Sequence, residues 1–530
     1  MARRRELGPH RVARHCIRNA QHLVRVAVPG LRSDVIVVGG GGAGATLAAR
    51  LSEDPRRSVL LVEAGPVPET PSGYAAELLD AGSMRGADPG HRNHWGYFAR
   101  LNARTDYVLP RGRVLGGSTA TNGGYFVRAR EDDFAGWSAA GRREWTLERS
   151  LPFLRELESD ADYGSAAVHG GAGPMPVARP AQGHPVTAAF AAAAQQLGYA
   201  CEPDKNDWGA PGYGPLPMNV RDGVLWNAGL AYLAPAWNRP NLRILGSTVV
   251  ERVIFDSGRA VGVAVAPGGA VLEGEHIVLC AGAVATSHTL LLSGVGPAAD
   301  LARIGIDVAA DLPVGVGFSD HPQVSLAWHP KGAAAQLRDG PAMASVLHFT
   351  SSGSAVAGDV ELLPLLKPVA YLLRGEDVAG PLDVLVSLQA NRSRGTVRLE
   401  SADPGVAPTI NFNYLADKED RAAMREGVRA AATVLCTDAF AAIFAGFVDL
   451  PTRPDDAALD RWIADHLGTA QHLSGTAPMG SVVDQFGRVE GLRGLRVADL
   501  SILPTVPMRG PAATAVLIGE RVADFIARGD

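Results

Sequence analysis

The run DVIVVGGGGAG at residues 34–44 sets Gly39, Gly41 and Gly44 directly behind an apolar stretch, and Glu63 closes a second apolar stretch, VLLVEAG, nineteen residues past Gly44. These residue types at this spacing bind a dinucleotide. Each glycine removes a β-carbon where one would obstruct: Gly39 at a sharp turn out of a strand, Gly41 where a pyrophosphate approaches the backbone, Gly44 where the following helix packs closely. A helix over residues 43–52 would direct its free N–H groups and the positive end of its dipole at the phosphates. An acid ending the second strand, here Glu63, can accept the ribose hydroxyls.

The elements that must hold this fingerprint follow from length and pattern. At 530 residues the chain exceeds what one hydrophobic core supports, and two joined domains are expected. The apolar content of 46% is ample for both, and a formal net charge of -5 leaves no basic footprint for nucleic acid. Cys16, Cys201, Cys280 and Cys436 lie far apart without CxxC or zinc-type spacing, which argues against a disulfide framework or a metal site and suits a reducing cytoplasm. No run is long and apolar enough to predict a transmembrane helix. Residues 1–32 are basic and lack the apolar segment of a secretory signal; they read as a disordered extension, compatible with weak peripheral association at the inner membrane face.

Behind the fingerprint, residues 92–126 form a stretch rich in Gly, Pro and Arg that is too long for a connector and is expected to wrap a ligand. Helical spacing follows at 146–160 and 185–197. Alternating segments at 242–255, 260–266 and 271–279 read as antiparallel strands returning the chain to the first domain through HIVLC and a turn at Gly282. More strands are expected over 324–410, a helix over 417–447, and a short strand and amphipathic helix in 494–530. The predicted class is α/β: a Rossmann-like domain from discontinuous segments with an inserted α+β domain, an antiparallel sheet covered by helices.

From about residue 33 to the end, the chain resembles the glucose-methanol-choline flavin oxidoreductases. GRVLGGSTATN at 112–122 is similar to the family's first signature and GAVATSHTLLLSGVG at 282–296 to its second. FSDHP at 318–322, SADPGVAPTINFNYL at 401–415, QHLSGTAPMG at 471–480, LRVADLSILPT at 495–505 and AVLIGERVAD at 515–524 complete the set in order. The resemblance implies an FAD domain of residues 33–159, 231–323 and 471–530 and a substrate domain of residues 160–230 and 324–470. It implies that Gly39, Gly41, Gly44 and Glu63 hold the ADP half of FAD, with Val249 meeting the adenine through its backbone. Gly116, Gly117, Asn122 and Gly123 would lie along the isoalloxazine, Asp499 near the phosphates and ribityl chain, and Pro511 where backbone approaches the pyrimidine. Thr121 stands where some members attach FAD through a histidine, so non-covalent FAD is expected. Thr289 replaces a usual aliphatic residue in the second signature.

By the same resemblance His472 is the acid/base at the reactive edge of the flavin, able to take an alcohol's proton as hydride leaves the carbon. The partner histidine or asparagine of the family would fall at Gly510; Arg509 is the candidate replacement, favouring developing alkoxide charge, with water or Gln471 as alternatives. His94, His321 and His466 are expected to be structural or FAD-adjacent. Neither a metal-ligand cluster nor a GxSxG nucleophile elbow is evident in the sequence. NGGYFVRAREDDFAGW and RGPAATAVLIGER resemble the mycofactocin-associated subgroup of actinobacteria, which implies reoxidation of a reduced redox carrier and electron delivery toward respiration. The expected activity is an FAD-dependent dehydrogenase acting on a CH–OH group or such a carrier, with a small-molecule substrate and an open choice of acceptor. An alcohol, choline-like or sugar oxidase using oxygen is one alternative; an FAD-containing lyase and a non-catalytic electron-transfer protein are the others.

Overall fold

The computed structural model describes residues 32–335, 340–376 and 379–530. The basic extension lies outside the described residues, except for Arg32, which opens the first strand. Val35, Ile36, Val37 and Val38 of that strand, Arg32–Val38, are all buried. An unbroken β-branched run without alternation fits a parallel strand covered on both faces. It lies in a seven-stranded sheet of spatial order Leu242–Leu245, Val59–Val62, Arg32–Val38, Ala270–Leu279, Arg259–Val265 and Val250–Asp256, with Leu495–Val497 also paired to Ala270–Leu279. The sheet thus gathers segments separated by hundreds of residues around one core.

Two sequence expectations change here. The segment 242–255 is not one antiparallel strand: it breaks at residues 246–249, and Leu242–Leu245 pairs parallel with Val59–Val62 while Val250–Asp256 pairs antiparallel with Arg259–Val265. Gly246 and a left-handed Ser247 (φ +50°) make the break. Ala270–Leu279 is likewise shared, its first half antiparallel to Arg259–Val265 and its second parallel to Arg32–Val38.

Helix Gly42–Leu51 packs against the last helix, Ala512–Arg528. The contact is close because Gly519 has no side chain: a β-carbon there would lie 2.4 Å from the Ala43 carbonyl oxygen. The pair is locked by Glu520, which takes the Arg50 guanidinium in two hydrogen bonds of 2.8 and 3.0 Å and the Tyr232 hydroxyl at 2.8 Å.

A second seven-stranded sheet runs in order Phe444–Phe447, Pro322–Pro330, Leu382–Leu388, Val360–Pro364, Ser345–Phe349 and Tyr213–Pro215, with Leu467–Thr469 also on Pro322–Pro330. Every pairing in it is antiparallel. Helix Lys418–Leu435 roofs it with Met424, Val428, Ala431, Val434 and Leu435, seated close over Val386 at Gly427. The helix predicted over 417–447 stops there, and the chain re-enters the sheet at Phe444–Phe447. The helix predicted over 146–160 also ends early, at Glu156. Residues 97–109 form a hairpin, Tyr97–Arg100 with Asp106–Leu109, inside a separate five-stranded sheet with Val316–Phe318, Gly395–Arg398 and Thr409–Asn411. Among the described residues no helix is long and apolar enough to cross a membrane.

Candidate active site

The glycine cradle is built from backbone. Gly39 adopts φ +98°, and a β-carbon there would lie 2.7 Å from Cys280 O; at Gly44 it would lie 1.9 Å from Gly39 O. Residues 112–122 fold against this turn. The Gly116 N–H donates to Gly40 O at 2.8 Å, and a β-carbon on Gly117 would come within 2.8 Å of Gly41 Cα. Both Gly116 (φ +94°) and Gly117 (φ +53°) are left-handed. Gly123 packs on Met343 and Met84, and Asn122 Oδ1 accepts from the Gly124 N–H at 3.0 Å. Thr121 is buried behind them. Across the sheet, Asp499 accepts from the Gly282 N–H at 2.9 Å, Thr286 Oγ1 at 2.6 Å and the Ser501 N–H at 2.8 Å. Val249 is fixed by its carbonyl, which accepts from the Ala266 N–H at 2.9 Å, and Pro511 caps the last helix.

Three features of the cradle fit a dinucleotide. Helix Gly42–Leu51 has no side-chain cap and no acid in its first turn, so its leading N–H groups are not spent on the chain's own carboxylates. A β-carbon on Gly41 would meet nothing nearer than Gly117 Cα at 3.8 Å, so that backbone stays open to approach. The buried Glu63 carboxylate accepts from the Gly40 and Gly65 N–H groups, each at 2.8 Å, and burial pushes its pKa up to about 7. A carboxylate has about four acceptor sites, so Glu63 retains room for a hydroxyl donor.

The second cluster is built from side chains. Pro322 and Thr469 pair directly in the antiparallel sheet, so the residue before one strand and the residue three past the end of the other emerge side by side. These are His321 and His472. Their Nδ1 atoms stand 2.9 Å apart with the rings nearly perpendicular. Asp320 ties the two backbones, its Oδ1 accepting from the N–H of His321 at 2.6 Å and of His472 at 2.8 Å. Gln471, before His472, is held left-handed (φ +66°), and its carbonyl accepts from Arg111 Nη2 at 2.7 Å. Burial drives the pKa of His321 down to about 3; burial, His321 and Arg111 hold His472 well below the ordinary imidazole range. Both rings are therefore neutral near pH 7.

Gly510 faces His472. A β-carbon there would stand 3.7 Å from His472 Cε1 and 3.8 Å from both Nε2 and Tyr125 Cδ1. Arg509 is fully buried, and its guanidinium bonds through Nη1 to Met508 O at 2.7 Å and Gly358 O at 3.3 Å rather than to His472. His466 stacks on Trp462 and bonds Asp449, while His94 bonds Gly86 O and neighbours Arg111. Sequence reasoning passed over Tyr125 and Asp320 and placed His321 among structural or FAD-adjacent histidines, not beside His472. FSDHP was a visible signal, but its meaning lies in a strand register that no local pattern displays.

Glu158, Asp160 and His169 bring ligand-type atoms together, a grouping not visible as sequence spacing. Their charges already serve the chain: Arg128 bonds Glu158 at 2.7 Å, Arg179 bonds Asp160, and His169 bonds Glu158 and Asp204 at 2.8 and 2.7 Å. This is a buried ion network, and carboxylates raise the His169 pKa to about 10 against the opposing effect of burial.

The amino-terminal model of the GMC oxidoreductases matches residues 33–323 and the carboxy-terminal model residues 391–519. The chain belongs to the GMC oxidoreductase family. It is an FAD-dependent oxidoreductase acting on alcohol-type donors. An uncharacterized GMC-type oxidoreductase from the thcA 5' region of Rhodococcus erythropolis is 41% identical over 516 residues, covering 94% of this chain and 99% of its own. An oxygen-dependent choline dehydrogenase of Sinorhizobium fredii is 33% identical over 544 residues, covering 94% and 96%. Among solved structures, pyridoxine 4-oxidase from Mesorbium loti superposes with a TM-score of 0.87 at 28% identity, covering 94% of this chain and 99% of that one. The fold expected from sequence, a Rossmann-like FAD domain with an α+β partner, is the fold of this GMC oxidoreductase.

Proposed function

We propose that this GMC oxidoreductase is a dehydrogenase in which His472 Nε2 takes the hydroxyl proton of a CH–OH donor while the same carbon loses hydride. The observation that carries this reading is the His321–His472 pair facing the side-chain-free surface of Gly510. The carbonyls of Gln389 and Pro507 lie near the His321 ring. Neither forms a hydrogen bond of ordinary geometry with Nε2, but a carbonyl dipole still favours a proton there. His321 Nδ1 is then an acceptor, His472 Nδ1–H donates to it, and the lone pair of His472 Nε2 is left facing Gly510. His321 positions the base through this bond and Asp320 fixes both backbones.

In this reading Gly39, Gly41, Gly44 and Glu63 hold the ADP half of FAD, Val249 its adenine, and Asp499 its phosphates and ribityl chain. Gly116, Gly117, Asn122, Gly123 and Pro511 line the isoalloxazine. Bound there, FAD supplies the hydride acceptor. Thr121 offers no imidazole for attachment, which supports non-covalent binding. Arg509 adds positive charge close enough to lower the His321 pKa, and so favours the developing alkoxide at longer range.

The finer identity of the donor, a reduced mycofactocin-type carrier, rests on the resemblance of residues 122–137 and 509–521 and on the missing second histidine at Gly510; an electron-rich carrier needs less activation than a simple alcohol. The choline dehydrogenase relatives support simple alcohols instead. Anaerobic titration of the yellow protein with both classes tests the reading. Loss of the oxidised-flavin band with one of them supports a dehydrogenase and names the class, and readmitted oxygen separates it from an oxidase. Colour persisting with every donor overturns the proposal in favour of lyase or binding roles.

A further inference from the structure

Arg509 is the least satisfied charged group near the proposed base. Its side chain is fully buried, yet Nε and Nη2 have no hydrogen-bond partner, and among the described residues no carboxylate lies within 4 Å of it. A buried guanidinium without a directly bonded carboxylate leaves two donors unmet, so an arrangement of this kind fits a partner that arrives from outside. The nearby acids Glu202 and Glu361 act on Arg509 only through space: neither closes to ion-pair distance, although Glu202 Oε1 is itself buried without a hydrogen-bond partner. Glu202 takes Lys205 and the Gly212 N–H, the latter at 3.0 Å; Glu361 Oε2 lies 3.0 Å from His348 Nε2; Asp133 takes the N–H groups of Arg130 at 2.8 Å and Met508 at 3.0 Å.

A second donor points the same way. The ring of Tyr125 begins at the Gly510 surface, its buried hydroxyl has no hydrogen-bond partner, and it is an electrostatic neighbour of Arg509. Tyr125 thus borders the surface before His472 Nε2 and lies within the electrostatic reach of the guanidinium.

We propose that Arg509 and the Tyr125 hydroxyl form an anion subsite beside His472, so that the donor is an alcohol that carries a carboxylate. The acid group seats on Arg509 Nε and Nη2 with the Tyr125 hydroxyl as a third donor, and the carbinol is presented to His472 Nε2. This rests on the dehydrogenase reading above and names its substrate class. A planar guanidinium offering two adjacent N–H donors matches a carboxylate's two oxygens, which a neutral alcohol or a choline-like cation cannot use.

The test is anaerobic titration of the FAD-loaded protein with hydroxy acids of increasing length, from glycolate to para-(hydroxymethyl)benzoate, each against its methyl ester. The non-reacting para-methylbenzoate serves as a binding probe read by perturbation of the oxidised-flavin spectrum. At least one acid should reduce the flavin at a concentration roughly 10- to 100-fold lower than its ester, the range expected for hydrogen bonds to a charged group. Arg509→Met should abolish that ratio and the spectral perturbation, while Arg509→Lys should keep part of both. Acids and esters reducing the flavin equally well would overturn the subsite and leave the dehydrogenase standing. Probe binding without reduction by any alcohol would support the subsite and overturn the dehydrogenase. Should Arg509→Met fail to fold, the acid-to-ester ratio and the probe affinity of the unaltered protein decide alone.

Discussion

The glycine cradle and the histidine corner of this GMC oxidoreductase are built by opposite means. In the cradle the functional feature is absence: at Gly39, Gly44, Gly116 and Gly117 a β-carbon would strike backbone or side-chain atoms within 3 Å. In the corner the feature is presence, with Asp320, His321, His472 and Tyr125 delivered by three separate segments. The first kind of site is written along the chain, because a turn and a helix start need only neighbouring residues. The second is written in a register, Pro322 opposite Thr469, and exists only once the sheet has formed.

One methyl group in the cradle should have the largest effect. Gly44→Ala would put a β-carbon 1.9 Å from Gly39 O and 2.9 Å from Cys280 Cβ, against atoms that cannot yield without moving the first strand turn. The expected result is destabilisation at or above the usual overpacking range of about 1–3 kcal/mol and loss of flavin from the purified protein, read by thermal melting and the flavin-to-protein ratio. A folded, yellow Gly44→Ala protein would break the comparison at its stronger end. In the corner, His472→Ala should leave flavin content intact and slow anaerobic flavin reduction about 100- to 10,000-fold. Unchanged reduction would remove His472 from the chemistry.

What could be read from sequence divides along the same line. The fingerprint, the first helix, the acid at Glu63 and the glycine pair at Gly116 and Gly117 are contiguous signals of backbone geometry, and resemblance extended them over the chain. Long periodic helices such as Lys418–Leu435 and Ala512–Arg528 were visible, but the end of the former was not, because alanine- and phenylalanine-rich residues 438–447 continue an apolar pattern that the sheet edge captures. The break at residues 246–249 was missed for a related reason. Alternation marks a strand, but which neighbour it joins, and in which direction, depends on Val59–Val62 far away in sequence. His321 was seen in its motif but not beside His472, since nothing near residue 321 announces that residue 472 will lie against it.

The His321–His472 bond sharpens the comparison at intermediate strength. His321→Ala should retain flavin and slow its reduction on the order of 100-fold, the cost of a base that is present but misaimed. A pH profile separates this from a structural defect. Burial, His321 and Arg111 hold the His472 imidazole well below its ordinary value of 6.5, and a base works only above its own pKa. Flavin reduction by the unaltered protein should therefore stay level as pH falls through 6.5 and decline only below it. Removing His321 takes away the hydrogen-bond acceptor at His472 Nδ1, so the acid limb should shift. A limb at or above the ordinary imidazole value in the unaltered protein, or no shift on substitution, would sink the pairing as the device that sets this base.

The weakest effect is expected from the same chemical change that is most damaging in the cradle. Gly510→Ala adds a β-carbon whose nearest neighbours are His472 Cε1 at 3.7 Å and Nε2 and Tyr125 Cδ1 at 3.8 Å, all ordinary van der Waals contacts, and Gly510 is not among the left-handed glycines. Stability should move by no more than about 0.5 kcal/mol in thermal melting. The methyl group instead occupies space in front of the proposed base. Bulky donors should lose kcat/KM while small ones keep theirs within roughly tenfold, in line with the 1–3 kcal/mol that one methylene commands in a pocket. If small and bulky donors lost activity alike, the surface at Gly510 would not bound the substrate, and the side of His472 that faces it would not be the reactive one.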